Sequence, residues 1–129
     1  MRLESDHGDF VELEPLAHEG ATLAFEVRVR RGTFSGFVET SIDHETWRSF
    51  ARELSILEAT GEGFARVRSV ADGELALVVR ALPTEGHFAV EGVLGTREYD
   101  AIVSLRFSAF AFDHAQLVDL ARVARACVG

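Results

Sequence analysis

Lysine and asparagine are absent from this 129-residue chain, and cysteine, tryptophan, tyrosine and methionine occur once each. The codons of Lys and Asn are A-rich, so their joint absence points to a GC-rich bacterial genome and not to a function. All 13 basic residues other than histidine are therefore arginine. The lone cysteine, Cys127, excludes an internal disulfide, which makes the cytoplasm the expected home. No apolar run approaches the roughly 18 residues of a membrane span. Met1 to Phe10 is polar and acidic, unlike the basic start and apolar centre of a secretory signal, so neither export nor a membrane partner is expected. Positive charge is in deficit too: the formal net charge is −8 and the isoelectric point about 5.0. That balance keeps a chain soluble, argues against a nucleic-acid partner and would suit a basic one.

What is present is a chain with a 47% hydrophobic fraction, enough to fill the core of a single domain over residues 1–129 without disulfides or metals. Phenylalanine, with ten copies, is the main aromatic, which favours packing over carbohydrate recognition. Phe10 to Leu13 reads as a short strand closed by Pro15. From Ala21 to Arg30, Leu23, Phe25, Val27 and Val29 alternate with more polar neighbours, the period of a half-buried strand. Arg31-Gly32 turns the chain, Gly32 supplying the positive φ that tight hairpins need. Thr33 to Thr40 returns, with Gly36 a candidate bulge.

Ile42-Asp43 opens a helix in which Trp47, Phe50, Ala51, Leu54 and Leu57 recur at helical spacing. Asp43 is its cap, Ile42 and Trp47 its hydrophobic staple, and Gly61 and Gly63 its end. Phe64 to Val70 and Glu74 to Ala81 flank Ala71-Asp72-Gly73, a strong hairpin signal. Pro83 to Gly86 turns into a strand from His87 to Leu94. Gly95-Thr96-Arg97 is expected to turn again into Tyr99 to Ser108. Asp113 caps the last helix, with Gln116 completing a capping box, Phe112 and Leu117 a staple, and Leu117, Leu120, Ala121, Ala124 and Cys127 a buried stripe. The predicted fold class is α+β: a mostly antiparallel sheet of about six to seven strands, order βββ-α-ββββ-α, with two amphipathic helices on one face. The two helix starts, Ile42-Asp43-His44 and Phe112-Asp113-His114, echo each other. Duplication of a strands-then-helix unit would explain this, and so would the common use of Asp caps.

None of the candidate chemistry amounts to a catalytic or metal-binding constellation, so no enzyme and no cofactor are expected. An Asp-His pair can act as an acid–base couple or as two metal ligands. Adjacent residues at a helix start diverge, however, and neither helix carries a second His one turn on. The positive helix end also disfavours imidazolium. His44 and His114 are therefore read as first-turn residues on a solvated face. His7, His18 and His87 have no ligand spacing, and Cys127 sits on a core stripe. Ser35 lacks the glycine pattern of a nucleophile elbow. Gly61-Glu62-Gly63 follows a helix, whereas a phosphate loop precedes one. An enzyme would need a cleft uniting distant residues, such as His87 with Asp100 or Glu91.

The outward sides of the strands are more informative. Alternation places Glu12, Glu14, Glu26, Arg28, Arg30, Arg66, Arg68, Glu74, Arg80, His87, Glu91, Asp100 and Arg106 there. A mesh of cross-strand ion pairs, each worth well under about 1 kcal/mol, accounts for most of such a set. Arg66 and Arg68 on one strand can also meet an anion or an acidic partner. With the apolar Val78 and Ile102 they form the candidate interaction surface.

The order of elements resembles the immunity proteins paired with wall-associated contact toxins, and an uncharacterised bacterial family of the same layout. The resemblance runs from Gly32-Thr33-Phe34-Ser35-Gly36 to the Asp-capped helix with Trp47 and Phe50, then through Gly86-His87-Phe88 to the helix after Phe112. It implies a non-enzymatic protein that binds a cognate toxin domain, and supplies no functional residues. The alternative expectation is a small apolar-ligand-binding domain, its strands curled around a Phe-rich pocket. Self-association through an exposed edge strand is a further expectation.

Overall fold

The computed structural model describes residues 1–84, 86–98 and 101–128, apart from the side chains of Glu19, Arg97, Glu98, Ala101, Ile102 and Val128. Strands β1 (Arg2–Glu4), β2 (Phe10–Glu19), β3 (Thr22–Arg31) and β4 (Phe34–Asp43) form one antiparallel meander, followed by helix α1 (His44–Thr60). Strands β5 (Phe64–Arg68), β6 (Leu75–Ala81), β7 (His87–Glu98) and β8 (Ala101–Asp113) form a second meander, followed by α2 (His114–Val128). The chain thus uses the order ββββα twice.

The class is α+β and antiparallel as expected, but the single sheet of six to seven strands is replaced by two sheets of four. Short alternating strands specify pairing only with their hairpin neighbours. Nothing local says whether β5 should join β4 across the intervening helix, and it does not. β1 escapes sequence reading because three residues with one apolar position, Leu3, carry no period.

Several strands also run past their expected ends. β2 continues through Pro15, with a register shift between Pro15 and Ala17 that absorbs the missing N–H. Gly36 is not a bulge: it pairs with Val29 in an unbroken register. A Cβ there would lie 3.0 Å from Leu105 Cδ2 and 3.3 Å from Leu94 Cδ1, so this glycine lets the second sheet pack close. Gly95-Thr96-Arg97 is strand, paired with Val103 and its neighbours and not a turn. A Cβ on Gly95 would stand 2.2 Å from the Gly73 carbonyl oxygen, which is why glycine is needed there without any turn. The actual bulge of this sheet lies between Val90 and Gly92.

Helix starts follow the expected chemistry. The Asp43 carboxylate accepts from the Glu45 N–H at 3.1 Å, and Gly61 closes α1 in the left-handed conformation with φ 69°. The Asp113 carboxylate accepts from Gln116 N–H at 3.1 Å. The other half of the expected capping box is diverted. Gln116 Oε1 accepts from the Glu4 N–H at 2.6 Å and Nε2 donates to the Glu4 carbonyl at 2.9 Å, fastening β1 to α2.

Each sheet turns one face inward. Val11, Phe25, Val27 and Ile42 from the first sheet share an apolar cluster with Leu75, Leu77, Val90 and Phe107 from the second. Both helices belong to that cluster and pack against each other, each touching strands of one sheet's edge and the core between them, where one face of a single sheet was expected. α1 lies against β4, β5 and β6, while α2 lies against β1, β7 and β8. Trp47 is fully buried, stacks on Phe25 at 4.6 Å, and donates its indole N–H to the Ala124 carbonyl of α2 at 3.0 Å.

A polar strut joins the sheets at one end. Asp9 is 6% exposed and accepts from Gly32 N–H at 2.7 Å and from Arg31 Nη1 at 3.2 Å. The same guanidinium reaches the Ser108 carbonyl of β8 at 3.1 Å. The Gly32 hydrogen bond, with help from Ser5 and Arg31, holds the Asp9 carboxyl below its usual range against the opposing effect of burial.

Candidate functional site

β5 is an edge strand of the second sheet, and α1 runs beside it. The first consequence is local: Glu53 of α1 accepts the outward Arg66 N–H at 3.1 Å, which caps a free edge group. The second is a groove of about 460 Å³, open to solvent, between the helix and the outer face of β5 and β6. Thr46, Ser49 and Glu53 form its helical wall; Arg66, Arg68, Ala76 and Val78 belong to the sheet. Strand alternation explains the floor, since Ala65 and Val67 point into the core and leave Arg66 and Arg68 outside.

Three of the four residues expected to form an interaction surface, Arg66, Arg68 and Val78, therefore meet in one groove, with Arg66 directly opposite Val78. Ile102 does not join them by register. Its backbone pairs with Arg97, beyond Leu94, where the pairing of β6 with β7 ends. Its side chain lies outside the described residues. Sequence reading missed Thr46, Ser49 and Glu53. The available signal was their position on α1 flanking the buried stripe, but only the packing of β5 beside the helix makes that flank a wall.

The expected mesh of outward charges divides into two faces. On the first sheet Glu4, Glu12, Glu14, Glu26 and Glu39 face outward with Arg2, Arg28 and Arg30. Glu14, Glu26 and Glu39 stand in one register row, an adverse arrangement of like charges. Arg28 relieves one of them by pairing with Glu26, at 2.7 Å from its Nε, and Arg2 pairs with Glu12 at 3.1 Å. On the second sheet Arg66, Arg68, Arg80 and Arg106 face outward with two described carboxylates: Glu91, which Arg80 holds at 3.1 Å, and Asp113 at the far end of β8, which caps α2. Asp100 lies outside the described residues. Arg66 lies over the Phe64 ring at 5.1 Å.

Glu74, read as outward, accepts instead from Thr40 Oγ1 at 2.7 Å and ties the two sheets together. It lines a second open groove of about 430 Å³ with Glu39, Leu16 and Val70. Neither His87 nor Glu91 lines either groove. The two Asp-His steps act as the capping analysis requires, because both carboxylates are occupied by backbone N–H groups. His44 stands 5.5 Å from the His18 ring and His114 6.0 Å from Phe88. Cys127 packs partly buried against the core, where desolvation pushes its thiol pKa up. Among the described residues no group of three or more His, Cys, Asp or Glu is placed to hold a metal ion, and no helix is long and apolar enough to cross a membrane.

No protein-family model matches the chain, and no curated protein matches it. Among solved structures the chain is similar to one described as the CdiA-CT/CdiI toxin and immunity complex from Enterobacter cloacae. The likeness has a TM-score of 0.49 and 11% identity, covering 92% of this chain and 98% of that one.

Proposed function

We propose that this protein is a non-enzymatic, cytoplasmic binding domain for a cognate protein, of the immunity type that neutralises a partner toxin. The observation that carries the reading is the groove between α1 and the β5–β6 face. It is open, walled by two hydroxyls and the Glu53 carboxylate, floored by small aliphatic side chains and edged by two exposed arginines. That composition suits the side chains of a protein surface, where arginine and shallow apolar contact do most of the binding. It does not suit a small apolar ligand, which needs an enclosed apolar cavity.

The test is co-expression and co-purification with the products of adjacent genes, followed by calorimetry on any pair recovered. The expected result is a stable complex with one neighbour whose expression alone arrests growth, and restored growth on co-expression. Absence of binding to every neighbouring product would overturn the proposal.

A further inference from the structure

We infer that the outer face of the second sheet docks an acidic segment of the partner, carboxylates flanking an aliphatic side chain. The inference rests on the protein-binding reading and adds the chemistry of the partner. It starts from a contradiction: the chain has a net charge of −8, which by itself favours basic partners, yet this face is cationic.

The register shows how the charges are spaced. Arg68, Ala76, Val93 and Arg106 lie in one row across β5, β6, β7 and β8. Three strand spacings separate the end residues, about 14 Å between backbones. Val78 lies in the adjoining row, opposite Arg66 on one side and Glu91 on the other. An apolar strip of Ala76, Val78 and Val93 is thus bracketed by guanidinium groups.

Those groups are available. The Arg68 and Arg106 side chains are exposed and make no hydrogen bond, ion pair or ring contact with any described residue. Glu53, the carboxylate of the groove wall, already accepts the Arg66 N–H. Glu91 is engaged by Arg80. Free arginines at the edge of an apolar strip match carboxylates bidentately, and the planar fork loses little freedom in doing so. A duplex or single strand of nucleic acid meets the same arginines, but it must approach a chain whose other outward face and overall charge repel it.

The test is amide chemical-shift mapping on the full chain. Three probes are compared at low salt: a short peptide of glutamates around a central leucine, its lysine counterpart, and a short oligothymidylate. The glutamate peptide is expected to move resonances of β5–β7 and Arg106, with affinity about tenfold weaker in R68E/R106E, a change of about 1.4 kcal/mol. R68Q/R106Q should fall between, which separates charge from loss of fold. Equal response to the lysine peptide, no response to the glutamate peptide, or stronger binding of oligothymidylate would each overturn the inference. The underlying reading fails separately: it falls if no cognate protein binds, whereas this inference alone falls if a cognate protein binds R68E/R106E undiminished.

Discussion

The two halves of the molecule share a topology and differ in almost everything that faces water. Both run four antiparallel strands into an Asp-capped helix, and in both the capping Asp pairs with the first residues of the third strand, Asp43 with Thr22 and Asp113 with His87. Outside, the first sheet is acidic, with three glutamates abreast, while the second is cationic with two arginine side chains unpaired among the described residues. Inward side chains are constrained by a common core, so both halves keep the same alternation. Outward side chains are free of that constraint, and that is where the halves differ.

The largest effect is expected where the halves are joined. Trp47→Ala removes a fully buried indole and its bond to the Ala124 carbonyl, and should cost about 3–5 kcal/mol in chemical denaturation. Both halves should unfold in one weakened transition. A mutant in which only one sheet melts would show that the halves are independent.

Backbone spacing differs between the halves. A Cβ on Gly92 would meet the Ala76 carbonyl oxygen at 2.2 Å, whereas one on Gly36 would meet a movable Leu105 methyl at 3.0 Å. Gly92→Ala should therefore destabilise by about 2–3 kcal/mol and Gly36→Ala by about 1 kcal/mol or less. Thermal unfolding of the two variants side by side measures the contrast.

Asp9→Ala breaks the strut between the sheets and should cost about 1–2 kcal/mol at neutral pH. The folded carboxyl titrates below its unfolded value, so its contribution is present above about pH 4 and is lost as pH falls through the lower folded value. The gap between Asp9→Ala and the parent should accordingly close in acid. A gap that is flat with pH would remove the charge from the explanation.

The smallest effect has the opposite sign. Glu39→Gln interrupts the row formed with Glu26 and Glu14 and should stabilise by about 0.5 kcal/mol, more at low salt than at high. Arg68→Gln, on the face without such a row, should leave stability unchanged within about 0.5 kcal/mol.

Much of this architecture was legible residue by residue. Gly61 as the end of α1, Asp43 and Asp113 as caps, and Gly32 at the hairpin all depend on a few neighbouring backbone groups. The groove was half legible: alternation put Arg66, Arg68 and Val78 outward, but could not supply Thr46, Ser49 and Glu53, which arrive from a helix up to 32 positions from Val78 in sequence. Gly95 shows the same limit in the fold. Glycine marks either a turn or a close approach, and only the position of Gly73 across the sheet decides between them.

By itself, then, the sequence determined the order of elements after β1, the inward faces and the helix boundaries, because periodicity and capping act within a few residues. Tertiary structure decided that the strands divide into two sheets of four, that Gln116 reaches back to Glu4, and that the outward charges divide into one face where Glu outnumbers Arg and one where Arg predominates. Those outcomes depend on which strands pair across a helix and on which distant backbone comes within hydrogen-bonding reach. No local pattern of side chains encodes either.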